Sequence, residues 1–215
     1  MKRVSLTAAI FLLAICSHAQ QQLFNLPALL ASNRIEVVNR NAQVQTINQK
    51  EGVHLTEMPG SGIAWLRNVS FSEGTISVDI KGKNISQQSF VGIAFHGLSD
   101  STYDAVYFRP FNFRAPDAVR RSHSVQYISL PAYDWEKLRN EHPNMYEQAI
   151  DSAPDPNDWF HVTIRVKSDS ISVYINNAEK PSLEVKPLTR RRSGMLGLWV
   201  GNNSAGDWCN LEISR

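Results

Sequence analysis

Residues 89–113, SFVGIAFHGLSDSTYDAVYFRPFNF, read as two strands joined by a polar connector from Gly97 to Thr102. In the first, Val91, Ile93 and Phe95 alternate with Gly92, Ala94 and His96. In the second, Asp104, Val106 and Phe108 alternate with Ala105, Tyr107 and Arg109. A period of two gives each strand two chemically different faces. One face is apolar and belongs in a core. The other sets small residues beside an imidazole, a phenol and a guanidinium, a flat platform suited to a planar or polyhydroxylated ligand.

The same alternation extends outward in both directions. TISVDIKG (75–82) turns Ile76, Val78 and Ile80 one way, with Asp79 on the opposite face. WFHVTIRVKSDSISVYINN (159–177) reads as a hairpin with a Lys-Ser-Asp-Ser turn, and GMLGLWVGNN (194–203) separates Leu196, Leu198 and Val200 from Gly197, Trp199 and Gly201. IEVVN, AQVQTI and GVHLTEM supply short strands upstream, and HSVQYISL (123–130) another downstream. LFNLPALL (23–30) has no clear period and predicts an edge strand or a short helix broken by Pro27; residues 115–122 predict a loop. Between Pro131 and Asp158 the pattern lapses, except for YDWEKLRNEH (133–142), which has helical composition and an acidic first turn. A connection of this length is characteristically a functional cap. Ten to fourteen short strands with one short helix, set in a capping loop at 129–158, predict an all-β, two-sheet antiparallel sandwich of jelly-roll type in a single domain, residues 20–215.

Lys2 and Arg3, the apolar run Val4–Cys16 and the ending Ser17-His18-Ala19 have the three regions of a secretory signal peptide. The run is too short for a permanent span, so export to the periplasm or beyond is expected, with no transmembrane segment. Ile15 stands where a lipid-anchored Cys16 would need a small residue, which argues against an anchor. The leader holds two of the 22 basic residues and none of the 20 acidic ones, so the remainder balances at 20 of each. Net charge therefore points to no polyanionic partner and against nucleic acid. Cys209 is then the one cysteine left, with no partner for an internal disulfide.

The succession TISVDIKG, SFVGIAFHG, YDAVYFRPFN, HSVQYIS, WFHVTIRV, ISVYINN and GMLGLWVGNNSAGDWCNLEIS resembles the concanavalin A-like lectin/glucanase superfamily in its laminin G-like branch. Within that branch it is most similar to the exported bacterial 3-keto-disaccharide hydrolase-like domain, over roughly Gly52 to Ser214. The resemblance implies a two-sheet sandwich whose concave face receives sugars. Two patterns of these relatives are missing: the Phe-Asp-Gly-Lys and Gly-Trp opening between Gln20 and Arg34, and the Glu-x-Asp-x-x-Glu string of the glucanases. Without paired carboxylates on one strand, retaining glucanase chemistry has no acid and nucleophile.

Candidate ligand-binding residues are Asp79, His96, Tyr107, Arg109, Gln126 and Trp199. Arg109 can fork onto hydroxyls or a carboxylate, or pair with Asp79 or Asp104. His96 can serve as a base near neutral pH or simply cap the next loop. Gln126 offers an amide to a hydroxyl pair, and Trp199, between two glycines, offers a ring for sugar stacking or for packing under the cap. Tyr133, Trp135 and Tyr146 can close over a ligand or form the cap's own core. Asp100 and Asp104 allow a calcium site, though no complete loop signature accompanies them. No other cofactor is signalled. Arg190–Arg192 reads as a solvated corner.

Three functions follow. The first is an exported carbohydrate-binding domain. The second is a hydrolase or lyase of 3-keto-glycosides, with His96 as base and Arg109 stabilising the enolate. A laminin G-like protein-interaction module is the third.

Overall fold

A computed structural model describes residues 20–215 of the chain; the leader and Cys16 lie outside the described residues. Strand β1 (Gln21–Phe24) leads into α1 (Leu26–Ala31), then β2 (Ile35–Val38), β3 (Ala42–Ile47), β4 (Lys50–Leu55), β5 (Gly62–Phe71) and β6 (Gly74–Lys81). The central hairpin follows as β7 (Val91–Ser99) and β8 (Thr102–Phe108), with the short turns α2 (Pro110–Phe113) and α3 (Ala118–Arg121) and strand β9 (Val125–Ser129) behind it. Helix α4 (Trp135–Glu141) and β10 (Glu147–Gln148) form the cap. The chain then completes β11 (Trp159–Val166), β12 (Ile171–Ile175), β13 (Leu183–Val185), β14 (Gly194–Val200) and β15 (Gly206–Ser214).

Two antiparallel sheets result. The back sheet runs β13-β12-β11-β6-β15-β4-β3, with β1 also on β15; the front sheet runs β10-β9-β8-β7-β14-β5-β2. The apolar faces read from the alternation meet between them: Ile76, Val78 and Ile80 from behind oppose Val91, Ile93, Phe95, Leu196 and Leu198 from in front. This is the all-β sandwich that the pattern predicts. Trp208, fully buried on β15, ties the layers together by donating its indole N–H to the Gly92 carbonyl at 3.1 Å.

Local chemistry departs from expectation at two places. Pro27 opens α1 rather than breaking it: Asn25 caps the helix by accepting from the Ala28 amide at 3.0 Å, and proline is at home in a first turn, where its missing N–H has no partner to lose. Residues 118–121, expected as loop, make one helical turn because Asp117 accepts from the Val119 amide. No helix among the described residues is long and apolar enough to cross a membrane.

One cross-strand row spans the whole front sheet on the side away from the core. Val38 pairs with Ile63, Ile63 with Trp199, Trp199 with Gly92, Gly92 with Tyr107, Tyr107 with Gln126, and Gln126 with Glu147. Across Gly92 the Tyr107 and Trp199 rings approach to 4.9 Å between centroids. A Cβ at position 92 would lie 2.2 Å from the Val106 carbonyl oxygen and 2.6 Å from the Tyr107 Cα, backbone atoms that cannot swing aside. Gly92→Ala is therefore expected to cost about 1–3 kcal/mol of stability, read as a lowered midpoint in urea unfolding. An unchanged midpoint would contradict this account of the row.

Candidate functional site

A cleft of about 650 Å³ opens on the outer face of the front sheet, within the usual range of small-ligand sites (roughly 300–1,000 Å³). Tyr107, Trp199 and Phe90 supply its aromatic floor, Arg109, Arg120, Arg139 and His123 its basic wall, and Trp135 its rim on α4. The cap is held down by Leu138, which packs with Trp199, Tyr107, Ile128 and Tyr103 in a second apolar cluster on this side of the sheet. Trp199 is consequently only 5% exposed, and its indole donates to the Tyr103 hydroxyl at 3.0 Å. The ring left open is that of Trp135, at 47%, with the Arg139 guanidinium 5.2 Å above it.

Arg109 sits where β8 ends, because Pro110 cannot continue the ladder and starts α2 instead. Its backbone N–H bonds the Ser124 carbonyl, and its side chain is fixed from three directions. It donates to the His123 carbonyl at 2.9 Å, to the Tyr107 hydroxyl at 2.7 Å and to Gln126 Oε1. Tyr107 also donates to Gln126 Oε1, at 2.6 Å. Behind them lies Glu147, which accepts a two-pronged pair of 2.7 Å bonds from Arg139 and stands 3.5 Å from Arg109. His123 Nδ1 is 2.9 Å from the same carboxylate, a contact that is ionic only when the ring is protonated.

Burial raises the Glu147 carboxyl, yet the hydrogen bonds and charge of Arg139, with Arg109 and His123 behind them, outweigh it and hold the group below its ordinary value. His123 moves down, first through burial and then through the two guanidiniums, against the pull of Glu147. Burial also pushes the Tyr107 phenol up, so it stays a neutral donor. A single buried carboxylate thus holds the polar half of the cleft together.

Of the residues read from the sequence, Tyr107, Arg109 and Trp199 line this cleft together. Gln126 is fully buried beneath it and orients Arg109 and Tyr107 instead of facing a ligand.

His96 does not join them. The β7–β8 register slips between Phe95 and Ser99, and His96 adopts a left-handed backbone (φ 52°) that turns its ring away from the cleft, against Phe71. Its Nδ1 meets Asp104 at 3.0 Å and its Nε2 the Ser72 carbonyl at 2.7 Å. With both nitrogens taken, it has no base to offer a ligand. Asp104 also accepts from Arg191 at 2.8 Å, Ser129 at 2.6 Å and Tyr127 at 3.2 Å. Asp104 is buried and filled with donors, and Asp100 accepts from the Trp65 indole, so the two do not form the calcium site that their positions allow. Arg191, expected as part of a solvated corner, is instead the counter-charge of Asp104.

Asp79 belongs to the other sheet altogether. It accepts from His161 Nδ1 at 2.7 Å, Lys50 at 2.9 Å and Asn210 at 2.8 Å. Burial raises its carboxyl, but these donors together hold it well below the usual carboxylate range. His161 Nε2 lies 3.1 Å from the Ser77 hydroxyl, giving the order of a nucleophile, base and orienting carboxylate. However, β6 is paired on both sides, with β11 and β15, and Ser77 sits in the back sheet, outside the lining of the cleft. Cys209, beside Asp79, is buried and its thiol is pushed up to about 12, chiefly by desolvation.

Sequence reasoning missed Glu147, Arg139 and Arg120 as parts of the site. Arg139 and Glu147 sit in a segment without period, and neither a heptad nor a strand pattern signals a pairing eight residues apart across a loop. A second cleft of about 660 Å³, between residues 148–152 and 178–184, has no aromatic ring and only one basic group, Lys180. Among the described residues no group of three or more His, Cys, Asp and Glu is placed to hold a metal.

The architecture is that of a two-sheet jelly-roll sandwich, and solved structures share it. A galectin-like protein of unknown function from Bacillus subtilis is 11% identical with a TM-score of 0.60, over 92% of this chain and 98% of that one. The carbohydrate-binding module CBM66, also from Bacillus subtilis, is 14% identical with a TM-score of 0.55, over 84% and 96%. The lumenal domain of VIP36 bound to calcium and mannose is 13% identical with a TM-score of 0.55, over 92% and 91%. Neither a family model nor a curated protein sequence matches the chain. At such identities the likeness is one of fold.

Removing the Glu147 charge would leave the buried Arg109 guanidinium without its counter-charge and half-buried Arg139 without its partner, so Glu147→Gln is expected to cost about 3–5 kcal/mol. The pH dependence has a definite sign. The folded carboxyls of Glu147 and Asp104 are held below the unfolded ones, so the unfolded chain takes up protons first as pH falls. Their stabilisation is present at neutral pH and is lost as pH drops from about 4 downward. Chemical unfolding across that range should show the loss, with a shallower slope in Glu147→Gln; equal slopes would remove Glu147 from the account.

Proposed function

We propose that this chain is an exported carbohydrate-binding domain and that the cleft under α4 is its sugar site. The observation that carries this is the pairing of an open aromatic ring, Trp135, with a floor of Tyr107 and Trp199 and a fan of fixed donors led by Arg109. Apolar C–H faces of a sugar pack on rings, while hydroxyls need donors and acceptors held in place beforehand. Arg109 is held before any ligand arrives, so little ordering cost falls on binding. The concanavalin A-like fold, shared with a carbohydrate-binding module and with a mannose-bound lumenal domain, is consistent with this use.

A hydrolase or lyase of 3-keto-glycosides, the activity suggested by the resemblance of the strand order, is a second reading, and one observation keeps it in view. His123 lines the cleft, and its lowered value leaves the ring neutral and able to accept a proton near pH 7. In that reading His123 takes the role first assigned to His96, with Arg109 beside it.

Trp135→Ala changes an exposed side chain, so the fold is expected to persist while glycan affinity falls about tenfold, the scale of one lost stacking contact. Calorimetry against the best ligand from a glycan array measures this. Equal affinity in the variant would move the site elsewhere. Release of sugar from a 3-keto-disaccharide, lost in His123→Ala and retained in His96→Ala, would establish the enzymatic reading. No glycan bound and tight capture of a protein would favour the interaction module.

A further inference from the structure

The cleft proposed above as a sugar site is built to give hydrogen bonds and charge, and that choice selects among sugars. Three guanidiniums, those of Arg109, Arg120 and Arg139, reach its wall. Glu147 answers two of them, closing on Arg139 at 2.7 Å and standing 3.5 Å from Arg109. Arg120, exposed on α3, donates only to the Phe111 carbonyl at 3.3 Å and forms no ion pair among the described residues. The other carboxylate on the wall, Asp134, accepts from the Lys137 amide as the cap of α4. Among the described residues Arg120 is thus the guanidinium of the wall left without a carboxylate partner.

Beside Arg109 the nearest acceptor is already used. Gln126 Oε1, the amide oxygen nearest Arg109, is taken by Tyr107 and by Arg109 itself. At a guanidinium a neutral hydroxyl can only accept, while Asn112, Asn202, Asn203 and Asp134 elsewhere in the cleft can take its proton. A guanidinium binds a ring's anionic oxygens by charge-assisted, often two-pronged bonds, stronger than those it gives a neutral hydroxyl. Arg109 is 5% exposed, so the positive potential is set in a partly desolvated site, where it is screened less than at an open surface.

We propose that the cleft selects an acidic sugar, a ring bearing a carboxylate or a sulfate, with Arg120 receiving the anionic group at the mouth. This rests on the carbohydrate reading of the same cleft.

Calorimetry with matched oligosaccharides tests it: galacturonate and glucuronate oligomers against their neutral galactose and glucose counterparts, and a sulfated galactose oligomer against its desulfated form. At least one acidic member is expected to bind about tenfold more tightly than its neutral match, the worth of one charge-assisted bond. The gap should shrink as salt is raised. It should close to within about twofold in Arg120→Gln, an exposed substitution expected to leave the melting temperature unchanged. Whether the uronates or the sulfated sugar show the gap identifies the anionic group. Neutral members binding as well as all acidic ones would overturn the acidic preference and leave the carbohydrate reading standing. Binding of no member of any pair would overturn both.

Discussion

Gly92 is where the two layers and the cleft meet. From behind, Trp208 of the back sheet donates its indole proton to the Gly92 carbonyl. In front, Trp199 and Tyr107 flank the glycine on the neighbouring strands and lean together over it. Strand β8 passes so close that a single added carbon would strike its backbone. A sheet position without a side chain normally weakens a strand. Here the missing side chain lets two large rings share one site, and the row from Ile63 to Glu147 takes its register from that contact.

The polar end of the row obeys a different constraint, electrostatic rather than steric. Burying Arg109 without a counter-charge would be costly, and the counter-charge comes from a segment that contributes only two residues to the sheet. Glu147 therefore does two things at once. It neutralises the guanidiniums, and it joins the α4 segment to β9 through the Gln126 pairing. Leu138 provides the apolar half of the same attachment. Cap and binding wall form one unit, fastened at one end by grease and at the other by charge.

The architecture was legible because a strand buried on one face repeats every two residues, and nearly every inward position named from Ile76 to Val200 is in the core. The site was legible only where that period persisted. Tyr107 and Trp199 sit on regular rungs, and both were placed on the face where they are found. His96 has the same alternation in sequence, but β7 carries one extra residue there against β14, which turns the following position to the other side, and nothing in the letters F-H-G announces a left-handed histidine. Asp79 shares a polar face in the alternation, yet alternation does not say to which sheet a strand belongs. Glu147, Arg139 and Arg120 lie where there is no period at all, and their convergence is a property of the chain's return path.

The front row also has a direction. It begins with Val38 and Ile63, passes through Trp199 and Tyr107, and ends at Gln126 and Glu147, so its chemistry changes steadily from one edge of the sheet to the other. The gradient reaches the cleft through Trp199 and Tyr107 and through Arg109 and Arg139 over its polar end, so a ligand there cannot be turned end for end without losing its charged part's partners. If a polymer occupies it, the strand order alone dictates which terminus leads, and the domain would read polarity along the chain as well as composition.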